Sequence, residues 1–285
     1  MKKINTTKLV SMGLISLCAL TIGAPSALAV DPVANSKADV KFVEDTSTID
    51  PEKPEVVDPT DPDKEPGVVD PGGEGTGGNG TKAFNINWVS NFKFGEIKIA
   101  GKSMTAFAQP TTLNWATETG GTLTPTGDKT AGLANFLQVT DNTGSNAGWN
   151  VKVSGTPFYE LNDAGQEITT SQLAGAQINL TEPQVVGLLD SASLAPTTSL
   201  TADKDILTGT NTVLQAAAGK GQGTWSLTWG AQADKTTLKG ITVATDDTTT
   251  GAATSGVKLT VPVTAQPKAN KSYRSNLVWV FSTAP

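Results

Sequence analysis

From Ala83 to the end of the chain, apolar and polar residues alternate in short runs with a period of two, the pattern of strands that bury one face. Phe84, Ile86 and Trp88 share one side opposite Asn85 and Asn87. Trp149, Val151 and Val153 oppose Asn150, Lys152 and Ser154, and Val257, Leu259, Val261 and Val263 oppose Lys258, Thr260 and Pro262. Pro262 cannot donate to a ladder, so that last run is expected at a sheet edge or a bulge. Turn signals such as Asp141-Asn142-Thr143-Gly144 and Asn162-Asp163-Ala164-Gly165 separate the runs. No stretch longer than about ten residues keeps a helical period with capping signals. The pattern predicts an all-β domain over residues 83–285, an antiparallel β-sandwich of Ig-like or Greek-key type.

Two runs concentrate the aromatic residues. In Gly223 to Gly230, Trp225, Leu227 and Trp229 fall on one face and Thr224, Ser226 and Thr228 on the other, which predicts a half-buried strand with an open polar face. In the terminal run Tyr273, Leu277, Trp279 and Phe281 share parity and Val278 and Val280 lie behind them, which predicts a central strand buried on both faces. Their shared spacing suggests neighbouring strands that build one site. Two roles stand side by side for these indoles: filling a core, where an aromatic ring buries about 150 to 250 Å², or offering a face to a ligand. The candidate ligand-binding set is therefore Trp225, Leu227, Trp229, Tyr273, Leu277, Trp279 and Phe281.

The first 82 residues have another character. Lys2, Lys3 and Lys8, an apolar stretch from Leu9 to Ile22 and the triplet Ala27-Leu28-Ala29 predict a secretory signal peptide over residues 1–29. Residues 30–82 read as an acidic linker. Asp-Pro recurs at Asp50, Asp58, Asp61 and Asp70, Val-Val-Asp-Pro occurs at Val56 and again at Val68, and glycine dominates from Gly72 to Gly80. Low apolar content and like-charge repulsion predict a disordered spacer ending in a glycine hinge. Val40-Lys41-Phe42-Val43 has two readings, a strand that returns to the main domain or part of a disordered end.

Charge and missing residue types narrow the chemistry. Residues 30–82 carry 5 basic and 13 acidic groups, whereas residues 83–285 carry 13 and 14. So acidic a chain has no electrostatic attraction to nucleic acid. Histidine is absent and the single cysteine, Cys18, lies in the leader, which excludes Ser-His-Asp, Cys-His and histidine-zinc sites. A carboxylate pair acting on glycosides stays chemically allowed. Its candidates, Asp141, Glu160, Glu182 and Asp190, sit in turn-like contexts and read as solvated acids. Asp203 and Asp205 lack the remainder of a calcium loop, and Gly219 to Gly223 lacks the Lys-Ser/Thr of a phosphate loop. We expect no enzyme, no metal and no cofactor. Once the leader is removed, no apolar stretch is long enough to insert in a membrane.

Taken together, the motifs resemble the WxL-domain proteins of low-GC Gram-positive bacteria. Trp225-Ser226-Leu227 matches the first motif, and Tyr273, Leu277, Trp279, Phe281 and Pro285 match the terminal pattern, with Phe281 where leucine is usual. Phe92-Lys93-Phe94-Gly95, Val139 to Asn142 leading to Gly148-Trp149, and the Asp-Pro-rich spacer stand in the family's order. The resemblance implies a secreted protein held non-covalently at the cell wall and cell surface, with peptidoglycan as its ligand. The alternative is an adhesin or complex subunit that docks another cell-surface protein or a host extracellular-matrix protein. The sequence carries no anchoring signal with an apolar tail and no lipidation site in a mature chain, so retention is expected to rest on binding.

Overall fold

The computed structural model describes residues 34, 36–187, 192–200, 204–230 and 256–283, and the expected leader lies outside them. The chain divides into residues 1–42 and 43–285. In the first unit the described residues form no strand, and Val40 and Phe42 are 78% and 89% exposed. The strand reading of 40–43 is thereby corrected. Two apolar side chains of one parity between Asp39 and Glu44 bury too little to offset the entropy of ordering.

The described part of the second unit is built from nineteen strands. They begin with β1 (Glu55–Val56), β2 (Gly67–Asp70), β3 (Gly75–Thr76), β4 (Phe84–Ser90), β5 (Met104–Phe107), β6 (Thr111–Thr119) and β7 (Thr122–Leu133). Next come β8 (Asn135–Asp141), β9 (Trp149–Gly155), β10 (Tyr159–Leu161), β11 (Glu167–Gln172), β12 (Gln177–Leu180) and β13 (Pro183–Gly187). The last are β14 (Thr197–Thr198), β15 (Asn211–Ala216), β16 (Gly223–Trp229), β17 (Val257–Val261), β18 (Tyr273–Arg274) and β19 (Leu277–Thr283). Every pairing among them is antiparallel.

A five-stranded sheet, β13-β16-β8-β4-β3, is the centre of the fold. One face packs on the sheet β14-β15-β9-β19, so that Leu137, Val139, Trp225 and Leu227 share a core with Trp149, Val151 and Val153. The small sheet β12-β17-β5 adds Ile178, Leu259 and Met104 to the same core. The other face carries a second core of Val56, Val69, Trp88, Leu113, Leu133 and Phe136, closed by the sheet β1-β2-β6-β7. A central sheet buried on both sides follows, and all seven residues of β8 are buried. A register shift in β4 between Ile86 and Trp88 separates side chains that strict alternation puts together. Ile86 enters the first core and Trp88 the second. Pro262 ends β17 and starts a short 3-10 turn, which leaves β17 between β12 and β5, neither bulged nor at an edge.

The expected spacer is instead part of the fold. Each Val-Val-Asp-Pro repeat ends a strand segment in a turn closed by its own aspartate: Asp58 accepts the Thr60 amide at 2.9 Å and Asp70 the Gly72 amide at 3.1 Å. Asp50 accepts the Glu52 amide at 3.0 Å in the same way. Between the turns, Val56 and Val69 are fully buried. In the glycine run, Gly75 lies where any Cβ would overlap the Trp88 ring, so a residue that looked like a hinge is a packing requirement.

Gln138 of β8 fixes this layer. Its amide oxygen accepts the Val57 N–H at 2.9 Å, and its nitrogen donates to the Val57 carbonyl and to Ser226 Oγ, both at 2.8 Å. One side chain thus satisfies both backbone groups of a buried residue and a hydroxyl of β16. Replacing Gln138 with Leu strands these groups in a dry interface, and a net loss on the order of 3 kcal/mol is expected. Thermal unfolding should show a transition lowered by roughly 5 to 10 °C, with residues 44–82 cut first in limited proteolysis. An unchanged transition would contradict this role.

Candidate functional site

The two aromatic runs exchange the positions expected of them. In β16, Trp225, Leu227 and Trp229 are 3%, 1% and 1% exposed, and Ser226 and Thr228 are equally buried behind them. Its polar face is closed because Ser226 meets Gln138 and Thr224 meets Thr140 beneath the N-terminal layer. The Trp225 indole N–H is taken by the Gln222 carbonyl at 3.0 Å, and the neighbouring Gly221 carbonyl accepts Trp149 Nε1 at 3.0 Å. The Gly219–Gly223 loop therefore seats two core tryptophans. Trp225, Leu227 and Trp229 are therefore core residues in this arrangement.

Among the described residues the terminal strand β19, by contrast, pairs only with β9 and lies at the edge of its sheet. Leu277, Trp279 and Phe281 are half-buried, while Val278 and Val280 project outward, 57% and 49% exposed. The runs are not neighbours in one sheet. They face each other across the sandwich, where the Trp229 and Trp279 ring centres are 5.7 Å apart and Phe92 stands edge-on to both. Phe281 stacks on Phe84 at 3.9 Å and meets Trp149 edge-on at 5.2 Å, so the phenyl ring at this departure from the family pattern is engaged in the core.

Beside Trp279 opens a groove of about 1000 Å³, at the upper end of the usual range for small-ligand sites. Tyr273, Leu277 and Trp279 line it together with Phe92, Phe94 and Phe158. Of the seven expected site residues, these three meet at an accessible surface. The other wall comes from residues 91–99, which form no strand and are tied down at Lys93, whose ammonium meets Glu74 at 2.6 Å and whose carbonyl accepts the Gln109 amide at 2.7 Å. Ile99 on that wall is 52% exposed. The alternation of Ile97, Lys98 and Ile99 outside any strand was the signal for this wall, since apolar residues in a loop need a reason to be there.

The rim formed by residues 267–276 is held by an ion pair. Lys268 Nζ donates to Glu160 Oε2 at 2.6 Å and to Ser171 Oγ at 3.1 Å, and the Lys268 amide donates to the Tyr273 hydroxyl at 3.0 Å. Donation from Lys268, then from Ser171, holds the Glu160 carboxyl below its ordinary value, and the same contact raises Lys268. Among the acids considered for catalysis, Glu160 is thus committed to the rim and Asp141 to a turn, where it accepts the Thr143 amide and hydroxyl at 3.1 and 2.7 Å. Asp205 accepts the Ile178 and Leu207 amides at 3.2 and 3.0 Å, while Asp190 and Asp203 lie outside the described residues. The groove combines an aromatic lining with polar and charged side chains such as Lys93, Glu96, Lys271 and Arg274, a mixed surface suited to holding a ligand.

A depressed Glu160 stabilises the fold above the ordinary glutamate value and loses that contribution as pH falls through the folded value. A raised Lys268 contributes below the ordinary lysine value and is lost only as pH rises through the folded one. The melting difference between the wild type and Glu160→Gln should therefore be steady from about pH 5 to 9 and shrink below about pH 4. A difference independent of pH down to about pH 2 would show that the charge of Glu160 is not what holds the rim.

A family model, the WxL domain, described as a surface cell wall-binding domain, matches residues 29–285. Comparison with the curated proteins and with the solved structures gives no match.

Proposed function

The chain belongs to the WxL family of surface cell wall-binding domains, and from that premise we propose that it is retained at the bacterial surface by non-covalent binding of peptidoglycan. The observation that carries this reading is the lining of the groove of about 1000 Å³: Tyr273, Leu277 and Trp279 of the terminal motif come together there with Phe92, Phe94 and Phe158. Aromatic faces accept the C–H faces of sugar rings and the methyl groups of short peptides, and a wall fragment offers both. The role in this reading is binding without catalysis, and two of the acids considered have other tasks, Glu160 at the rim and Asp141 in a turn. In this reading Trp225, Leu227, Trp229 and Phe281 act at one remove, by setting the position of β19 and its Trp279.

Co-sedimentation with protein-stripped, teichoic-acid-free peptidoglycan tests it. The wild type should sediment, and Ile99→Asp, which places a charge on an exposed apolar wall of the groove, should weaken retention at least tenfold, about 1.4 kcal/mol, with an unchanged melting transition. Trp225→Phe should lower the melting transition while the folded protein still binds. If the wild type stays in solution the ligand is not peptidoglycan, and if Ile99→Asp binds normally the groove is not the site.

A further inference from the structure

Strand β19 has the composition of a central strand and the position of an edge strand. Leu277 to Thr283 is apolar on both faces and contains no charge and no proline. Its register with β9 runs unbroken from Leu277 opposite Gly155 to Thr283 opposite Trp149. Charge, proline and bulges are the devices that keep a sheet edge from pairing with another chain, and none is present. Among the described residues no strand lies on its second side.

The phase of the ladder shows what that side offers. The Thr156 amide donates to the Asn276 carbonyl at 3.0 Å. Residues 276, 278, 280 and 282 therefore turn their backbone groups toward β9, and those of Leu277, Trp279, Phe281 and Thr283 point to the open side.

We propose that a second copy of this chain occupies this edge, its β19 running antiparallel about a twofold axis at Val280. This register overlaps the whole strand. Leu277 falls opposite Thr283 of the second copy and Trp279 opposite Phe281, pairs that use the open backbone groups and set aromatic side chains beside one another across the two strands. On the outer face Val280 meets Val280 in a non-hydrogen-bonded pair, and Val278 meets Ser282. Lys152, opposite Val280 on β9, is the nearest charge on that face, and the two copies of it would stand three strand spacings, roughly 14 Å, apart. That exceeds the screening length of about 8 Å at physiological salt. An edge that selected a foreign strand by charge would carry charge; an uncharged strand that matches itself about its own midpoint fits its own copy, as an isologous interface requires. The sheet β14-β15-β9-β19 would then continue into its twin as eight strands. This pairing does not depend on what the groove binds.

Cysteine placement tests the register, because Cys18 is the chain's one thiol. In a Cys18→Ser background, Val280→Cys should form a disulfide-linked dimer under mild oxidation, since a non-hydrogen-bonded pair brings the two Cβ atoms within bridging range. Val278→Cys, opposite Ser282, should stay largely unlinked. Sedimentation equilibrium of the wild type should show a concentration-dependent dimer, and Val280→Lys should raise its dissociation constant at least tenfold without lowering the melting transition. Equal cross-linking of the two cysteine variants, a dimer indifferent to Val280→Lys, or a wild type that stays monomeric would each overturn the proposal. So would slow amide exchange at Trp279 and Phe281 in a monomer, because another strand of the same chain would then complete the sheet.

Discussion

A sheet buried on both faces has to satisfy its polar side chains from within, and in this chain that requirement falls on Gln138. Its amide joins β8 to Val57 on one side and to Ser226 of β16 on the other, at 2.8 to 2.9 Å. Low local dielectric makes such a network costly to leave half-made. The same contact therefore bears on two things at once: how the segment around Val57 is held on the central sheet, and why β16 has no free face. With both sides of the central sheet closed, an accessible surface for the terminal motif has to come from the outer sheet, where β19 lies.

Much of the architecture was legible in the alternation of residues. The strands at Trp149, Trp225, Val257 and Leu277 appear where period-two patterns placed them. What alternation could not convey was what covers a polar face. Thr224, Ser226 and Thr228 look like a solvent side in sequence, yet two of their hydroxyls are matched by Gln138 and Thr140 across the sheet. Composition misled in the same way upstream, because an aspartate before proline serves equally in a disordered spacer and in a tight turn closed by its own carboxylate. The burial of Val56, Val57 and Val69 distinguishes the two. The shift between Ile86 and Trp88 was also invisible, since one extra residue in a ladder leaves no mark on the pattern.

Of the residues that line the candidate groove, Tyr273, Leu277 and Trp279 belong to the expected set, whereas Phe92, Phe94 and Phe158 do not. The reason is that a groove joins elements distant in sequence, and the alternation in the loop over residues 91–99 is confined to Ile97, Lys98 and Ile99, too short to mark an element. The two tryptophan motifs turn out to be unequal partners. Trp229 backs Trp279 through the core at 5.7 Å, so the buried motif positions the accessible one. The position of β19 at the edge of its sheet among the described residues and the groove beneath its inner face are then two consequences of one placement.

Hydroxyl-radical footprinting of dilute protein, with and without purified peptidoglycan, tests that placement most directly. Trp279 should be oxidised in the free protein and protected by the wall polymer, while Trp225 and Trp229 should remain unmodified in both states. Oxidation of Trp225 in the folded protein, with protection on binding, would contradict the account.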